Sequence, residues 1–180
     1  MKIISKIITI LFVAITIVSC KKESLQSYLV ESQEKEGFTT IDLPVSFLQL
    51  KTDDASEDVK KTLKSIRKIN VVILPFNDNR EAYKKEKATL KSIFKNSKKY
   101  KSLMRFKKNG VKLNLYYTGN EDAIDEVIAF GYGDDKGVGV ARVLGNNMNP
   151  SKIMKMMKDI KFDTKNLKLK QFKTIFSKKE

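Results

Sequence analysis

The sequence predicts an α+β fold, a single domain with a mixed, mostly antiparallel sheet and helices packed on one face. Three observations predict it. Asn109-Gly110 is flanked by two alternating runs, Tyr100, Ser102, Met104, Phe106 before it and Val111, Leu113, Leu115, Tyr117 after it. Both residues of such a turn adopt positive φ, which makes this pattern a strong hairpin signature. Val71-Val72-Ile73-Leu74 is β-branched, free of charge and bounded by Pro75, as in a strand buried on both faces. Tyr83, Leu90, Ile93 and Phe94 fall on one arc of a 3.6-residue wheel, which gives a helix with one apolar face. A length of 180 residues with 41% hydrophobic content sets one domain as the prior.

The remaining elements follow in chain order. Leu25, Tyr28 and Leu29 at i, i+3 and i+4 give a short helix over 24–35, stopped by Gly37. Phe38 to Leu43 is a strand of β-formers ended by Pro44, and Phe47, Leu48 and Leu50 form a short apolar turn. Ser56 caps a helix over 57–68 with Val59, Leu63 and Ile66 on one face, and the innermost strand runs over 69–76. Asn77-Asp78-Asn79 is a turn with capping chemistry. It lacks the spacing and closing Glu of an EF-hand loop. The helix over 80–97 leads into the hairpin, then strands over 123–132 and 138–144 separated by the Gly133 to Gly137 turn. Asn149 caps and Pro150 opens a last helix with Ile153, Met154, Met157 and Ile160 on its apolar side. The predicted order is α-β-α-β-α-β-β-β-β-α, with the later strands as a meander. The apolar positions of 162–180 (Leu167, Leu169, Phe172, Ile175, Phe176) are left unplaced.

Composition removes several function classes. The chain has no His and one Cys, so the usual ligands of zinc, copper and non-haem iron are missing. Ser-His-Asp and Cys-His nucleophilic machinery are excluded on the same ground. No metal, cofactor or catalytic residue is assigned. Glycines 131, 133, 137 and 139 match neither phosphate-loop pattern. The formal net charge is +15, and only Arg67, Arg80, Arg105 and Arg142 among the 36 basic residues are arginine. Lysine is a hydrated point charge without the fork that reads phosphate, so no nucleic acid is expected as partner. Basic residues cluster over 80–108, which holds 12 of them against 2 acidic ones and opens with the helix over 80–97. There Lys84, Lys87, Lys91 and Lys95 form a stripe suited to an anionic lipid surface or an acidic envelope partner.

The N-terminus carries the clearest motif. Lys2 and Lys6 precede a charge-free run from Ile7 to Val18, too short to span a bilayer and of signal-peptide length. The run ends in Ile17-Val18-Ser19-Cys20 with Lys21 and Lys22 beyond it. That tetrapeptide resembles the lipobox of bacterial lipoproteins. The resemblance implies cleavage after Ser19, a diacylglycerol thioether on Cys20 and a membrane anchor. The organisation is then a signal peptide over 1–19, an anchor, tether and first helix over 20–36, and the α+β domain over 37–180. Lys21 stands where enterobacterial lipoproteins retained in the inner membrane carry Asp, which favours the outer membrane, facing the periplasm.

Together with this lipobox, Gly37-Phe38-Thr39-Thr40-Ile41, the Asn-Gly hairpin, the strand near Glu126-Val127-Ile128 and the turn-helix from Gly145 to Ile153 are similar to small lipoproteins of Bacteroidetes that carry a domain of unknown function. The resemblance implies an envelope lipoprotein and supplies no catalytic residues. The expected role is therefore non-catalytic, as a binding, scaffolding or envelope stress and signalling protein. The alternative is a carboxylate-dependent envelope hydrolase, for which Asp134-Asp135 and Glu121-Asp122 are the acidic pairs in turns.

Overall fold

The computed structural model describes residues 24–45, 48–50, 56–77, 79–156 and 160–162. The elements are α1 (Leu25–Glu31), β1 (Thr39–Pro44), β2 (Leu48–Leu50), α2 (Glu57–Ser65), β3 (Ile66–Pro75), α3 (Arg80–Asn96), β4 (Lys101–Lys108), β5 (Val111–Gly119), β6 (Ile124–Gly133), β7 (Gly137–Met148), α4 (Pro150–Met156) and β8 (Ile160–Phe162). Six strands form one sheet in the order β1-β3-β7-β6-β5-β4, and β2 pairs with β8 in a second, two-stranded sheet. The single-domain α+β class and the predicted order of the main elements hold. Cys20 and the 163–180 tail lie outside the described residues.

Local chemistry sets the boundaries. Ser24, Ser56, Asn79 and Asn149 each accept a backbone N–H three residues on, so each of the four helices among the described residues starts on a side-chain cap. The β4–β5 hairpin turns on Asn109 (φ 49°) and Gly110 (φ 79°), as the Asn-Gly pair predicts. Gly137 opens β7 at φ 125°, where a Cβ would stand 2.3 Å from the Leu74 carbonyl oxygen. No other residue fits that approach.

Several details differ from the sequence reading. The sheet is antiparallel throughout rather than mixed, because α3 carries the chain from β3 across three strands to β4, and the parallel pair is never adjacent. The strand predicted as innermost, β3, is second from an edge; β7 and β6 hold the centre, and β1 pairs on the outer side of β3. Helix α2 stops at Ser65, and Ile66 is extended (φ −83°, ψ 137°), because the β-branched stretch from Ile66 already pairs with β7. Leu48 and Leu50 sit in a strand rather than a turn, and Ile160 lies in β8 rather than on the last helix.

The helices pack on both faces, not on one. On the first face, Leu25, Tyr28 and Leu29 of α1 and Tyr83, Leu90, Ile93 and Phe94 of α3 cover Val72, Ile128, Phe130, Val138 and Val140. The Phe94 ring lies 4.5 Å from that of Tyr116 at an interplanar angle of 5°. On the opposite face, Val59 and Leu63 of α2 and Ile153 of α4 cover Ile69, Tyr117, Val127 and Val143. An amphipathic helix states that it has a buried side, and nothing in its period states which face of a sheet receives it.

The far half of this second face lies beyond α2 and α4. It carries the cross-strand row Phe106, Leu113, Gly131, Gly139, Ile73. Phe106 is 47% exposed at the edge strand, where Lys101, Arg105, Lys107 and Lys108 provide the charges that discourage edge-to-edge pairing.

Burial therefore ranks the core substitutions. Ile128, fully buried between α3 and the centre of the sheet, should cost about 2–5 kcal/mol on change to Ala. Ile73, half-buried on the open part of the second face, should cost less than half as much. Urea melts of Ile128→Ala and Ile73→Ala at unchanged slope measure both. Equal losses would contradict this assignment of faces.

Candidate binding cavity

One cross-strand row on the first face is polar where its neighbours are apolar. Asp42 of β1 lies opposite Asn70 of β3, and Asn70 lies opposite Arg142 of β7. Asn70 and Arg142 are 4% and 6% exposed. A buried guanidinium needs its donors satisfied. Arg142 Nε and Nη2 donate to Asn70 Oδ1 at 3.0 and 2.7 Å, and Nη1 donates to Gln26 Oε1 of α1 at 2.8 Å. Asn70 Nδ2 in turn donates to Asp42 Oδ1, and Lys68 Nζ donates to Asp42 Oδ2 at 2.7 Å. Burial raises the Asp42 pKa. The hydrogen bonds from Lys68 and Asn70, with the charges of Lys68 and Arg142, outweigh it and hold the carboxyl below its ordinary value. Three strands and α1 are thus tied together through one relay. Its end is a cation that makes no ion pair among the described residues.

Arg142 lines a cavity of about 700 Å³ between α1, the C-terminal end of α3 and strands β6 and β7. Its walls include Gln26, Asn96, Lys99, Tyr100 and Glu126. Glu126 is 8% exposed; Oε1 accepts from Lys99 Nζ at 2.9 Å, and Oε2 is buried with no partner among the described residues. Burial pushes the Tyr100 phenol above its ordinary range. The walls carry two cations, one carboxylate and several neutral hydrogen-bonding groups, in a volume suited to a small organic molecule. A second buried carboxylate, Glu86 of α3, sits away from this cavity. Its Oε1 lies 3.4 Å from Lys35 Nζ, and it raises the Tyr28 pKa together with burial, the larger cause.

The lysine stripe divides in the structure. Lys84, Lys91 and Lys95 are exposed. Lys87 is half-buried, because Nζ donates to Asp134 Oδ1 at 2.9 Å and to the Tyr83 hydroxyl at 3.0 Å. Lys87 and Lys91 also lie 5.2 and 5.0 Å from the Tyr132 ring centre, joined there by Lys112 of β5 at 6.0 Å. The acidic pairs do not converge. Asp134 is held by Tyr83 and Lys87, Asp135 pairs with Lys136 at 2.9 Å, and Glu121 accepts from Tyr117 at 3.4 Å.

Sequence reasoning missed Asn70, Glu126 and Arg142, though their parity marks them. Arg142 shares a face with Val138 and Val140, Glu126 with Ile128 and Phe130, and Asn70 with Val72 and Leu74. A charge or amide in step with buried aliphatics on a strand is the readable sign.

A family model described as Domain of unknown function (DUF4252) matches residues 28–156, more than two thirds of the chain. The chain belongs to this family. Its span runs from α1 to the last residue of α4 and so contains the whole relay except Gln26. No curated protein and no solved structure matches the chain.

Proposed function

We propose that this chain is a lipid-anchored bacterial envelope protein whose domain acts as a non-catalytic binding module, with the cavity beside Arg142 as its ligand seat. The observation that carries the binding reading is a buried, positioned guanidinium in the wall of a cavity large enough for a small molecule. A catalytic reading is less well supported. Among the described residues Glu126 is the one carboxylate in the cavity wall, and glycoside hydrolysis calls for two.

The anchor rests on the N-terminal sequence, a basic start, a charge-free run and Ile17-Val18-Ser19-Cys20. No helix among the described residues is long and apolar enough to cross a membrane. The lipid on Cys20 would hold the module at the outer membrane, facing the periplasm, with α1 a few residues from the bilayer. At that distance the exposed Lys84, Lys91 and Lys95 of α3 would face anionic head groups, each contributing about 1 kcal/mol within a Debye length.

Two experiments address these parts. Cells fed a fatty-acid analogue should label the wild-type chain and leave Cys20→Ser unlabelled and uncleaved; equal labelling of both contradicts the anchor. For the lysine strip, chain from residue 21 onward should sediment with anionic vesicles at low salt. Changing Lys84, Lys91 and Lys95 to Gln should remove most of that binding. Equal sedimentation of the two proteins would leave the strip as a solvated helix face.

A further inference from the structure

Arg142 is a buried cation that makes no ion pair among the described residues. A guanidinium has five N–H donors. Three bonds are made, Nε and Nη2 to Asn70 and Nη1 to Gln26, which leaves one N–H on each terminal nitrogen without a partner among the described residues. Both bonded neighbours are neutral amides. The nearest carboxylate of the relay, Asp42, already accepts from Lys68 and Asn70. Buried cations are normally neutralised by a paired anion. Here the one carboxylate among the described residues of the same wall, Glu126, is bonded to Lys99 rather than to Arg142.

The rest of the wall carries charge of both signs, including the buried, unpartnered Glu126 Oε2. Lys99 adds a second cation, and Glu126, its partner, is the single carboxylate. The wall charge among the described residues is therefore positive by one. Lys99 also keeps donors beyond its single bond to Glu126, and Tyr100 and Asn96 supply neutral donors around it.

We infer that the cavity binds a small organic oxyanion, a carboxylate or phosphate ester, held by Arg142 and assisted by Lys99. The inference rests on the reading of the cavity as a ligand seat and names the ligand class. Asn70 is a positioning residue. By taking Nε and one Nη2 hydrogen on a single oxygen, it fixes the guanidinium plane and leaves the other edge for the ligand. Gln26 of α1 takes one Nη1 hydrogen, so one hydrogen on each terminal nitrogen is left for the ligand. Recognition of an oxyanion by a fixed fork is the task for which lysine is a poor substitute.

The test is an NMR titration of the full-length chain in detergent micelles, at ionic strength held constant with sodium chloride. Succinate, glycerol phosphate, glucose and ethanolamine are added separately. Succinate, glycerol phosphate or both should shift the Arg142 Nε–H resonance saturably; the tighter of the two identifies carboxylate or phosphate. Arg142→Lys should weaken that binding about tenfold or more. Lys99→Gln, which removes the second cation and keeps an amide donor near Glu126, should bind about two- to fivefold more weakly. The Lys99 variant keeps the test decisive should the Arg142 variant fold poorly. No saturable shift with either oxyanion, or unchanged affinity in the Lys99→Gln protein, overturns the inference. Should glucose or ethanolamine saturate the cavity resonances instead, the oxyanion is wrong and the ligand seat stands. Should none of the four probes move them, both fall.

Discussion

Taking a guanidinium out of water costs several kcal/mol after relaxation, and hydrogen bonds to neutral amides recover about 1–3 kcal/mol each. The first face of this sheet is arranged around that constraint. Arg142 sits next to Val140 on the central strand β7, with α1 laid over it. To seat it there, the fold places Asn70 opposite on β3 and Asp42 opposite Asn70 on β1, and it carries Lys68 as the outer partner. The register of three strands is thereby coupled to one side chain. A one-residue slip would send Arg142 to the other face and bring Ala141 or Val143 to Asn70.

The two faces divide the energetic work. Apolar burial is complete under α3, where Leu90, Ile93 and Phe94 meet Ile128 and Phe130. It is complete again at the other end, where α2 and α4 close over Ile66, Ile124 and Met148. These clusters supply the cooperative stability that lets the polar row exist, since a half-satisfied polar network destabilises its surroundings. Helix α1 joins both demands. Leu25, Tyr28 and Leu29 anchor it in the apolar cluster, Lys35 just beyond it reaches buried Glu86, and Gln26 completes Arg142. Loss of α1 from its seat would therefore open the cavity and uncover part of the core together. That ties the ligand seat mechanically to the segment leading toward the N-terminus.

Much of the architecture was legible in the sequence, because local chemistry decides it. Asn109-Gly110 specifies its own backbone conformation, Asn79 and Asn149 announce helix starts, and the arc of Tyr83, Leu90, Ile93 and Phe94 is buried as its period requires. Strand order was not legible, because β1 and β7 compete for the two edges of β3 through pairings of high sequence separation that no local pattern encodes. Nor was the face on which α2 and α4 pack. Lys87 read as one cation in a stripe, and the structure pairs it with Asp134, which lies 47 positions away. The cavity was missed for a different reason. Its residues come from α1, α3, the α3–β4 connection, β6 and β7, and single charged positions in apolar strands carry meaning only once their parity is compared with their neighbours.

The central claim is that Arg142 is held in a fixed orientation by Asn70 and Gln26, ready to receive a partner on its remaining edge. The most direct measurement is the nitrogen-15 and proton spectrum of its guanidinium in the ligand-free, full-length chain. A clamped group should show a protected Nε–H and separate, slowly exchanging Nη signals, and Asn70→Ala should collapse them. A single averaged Nη signal with an unprotected Nε–H in the wild type, as given by a guanidinium rotating in water, would contradict the account.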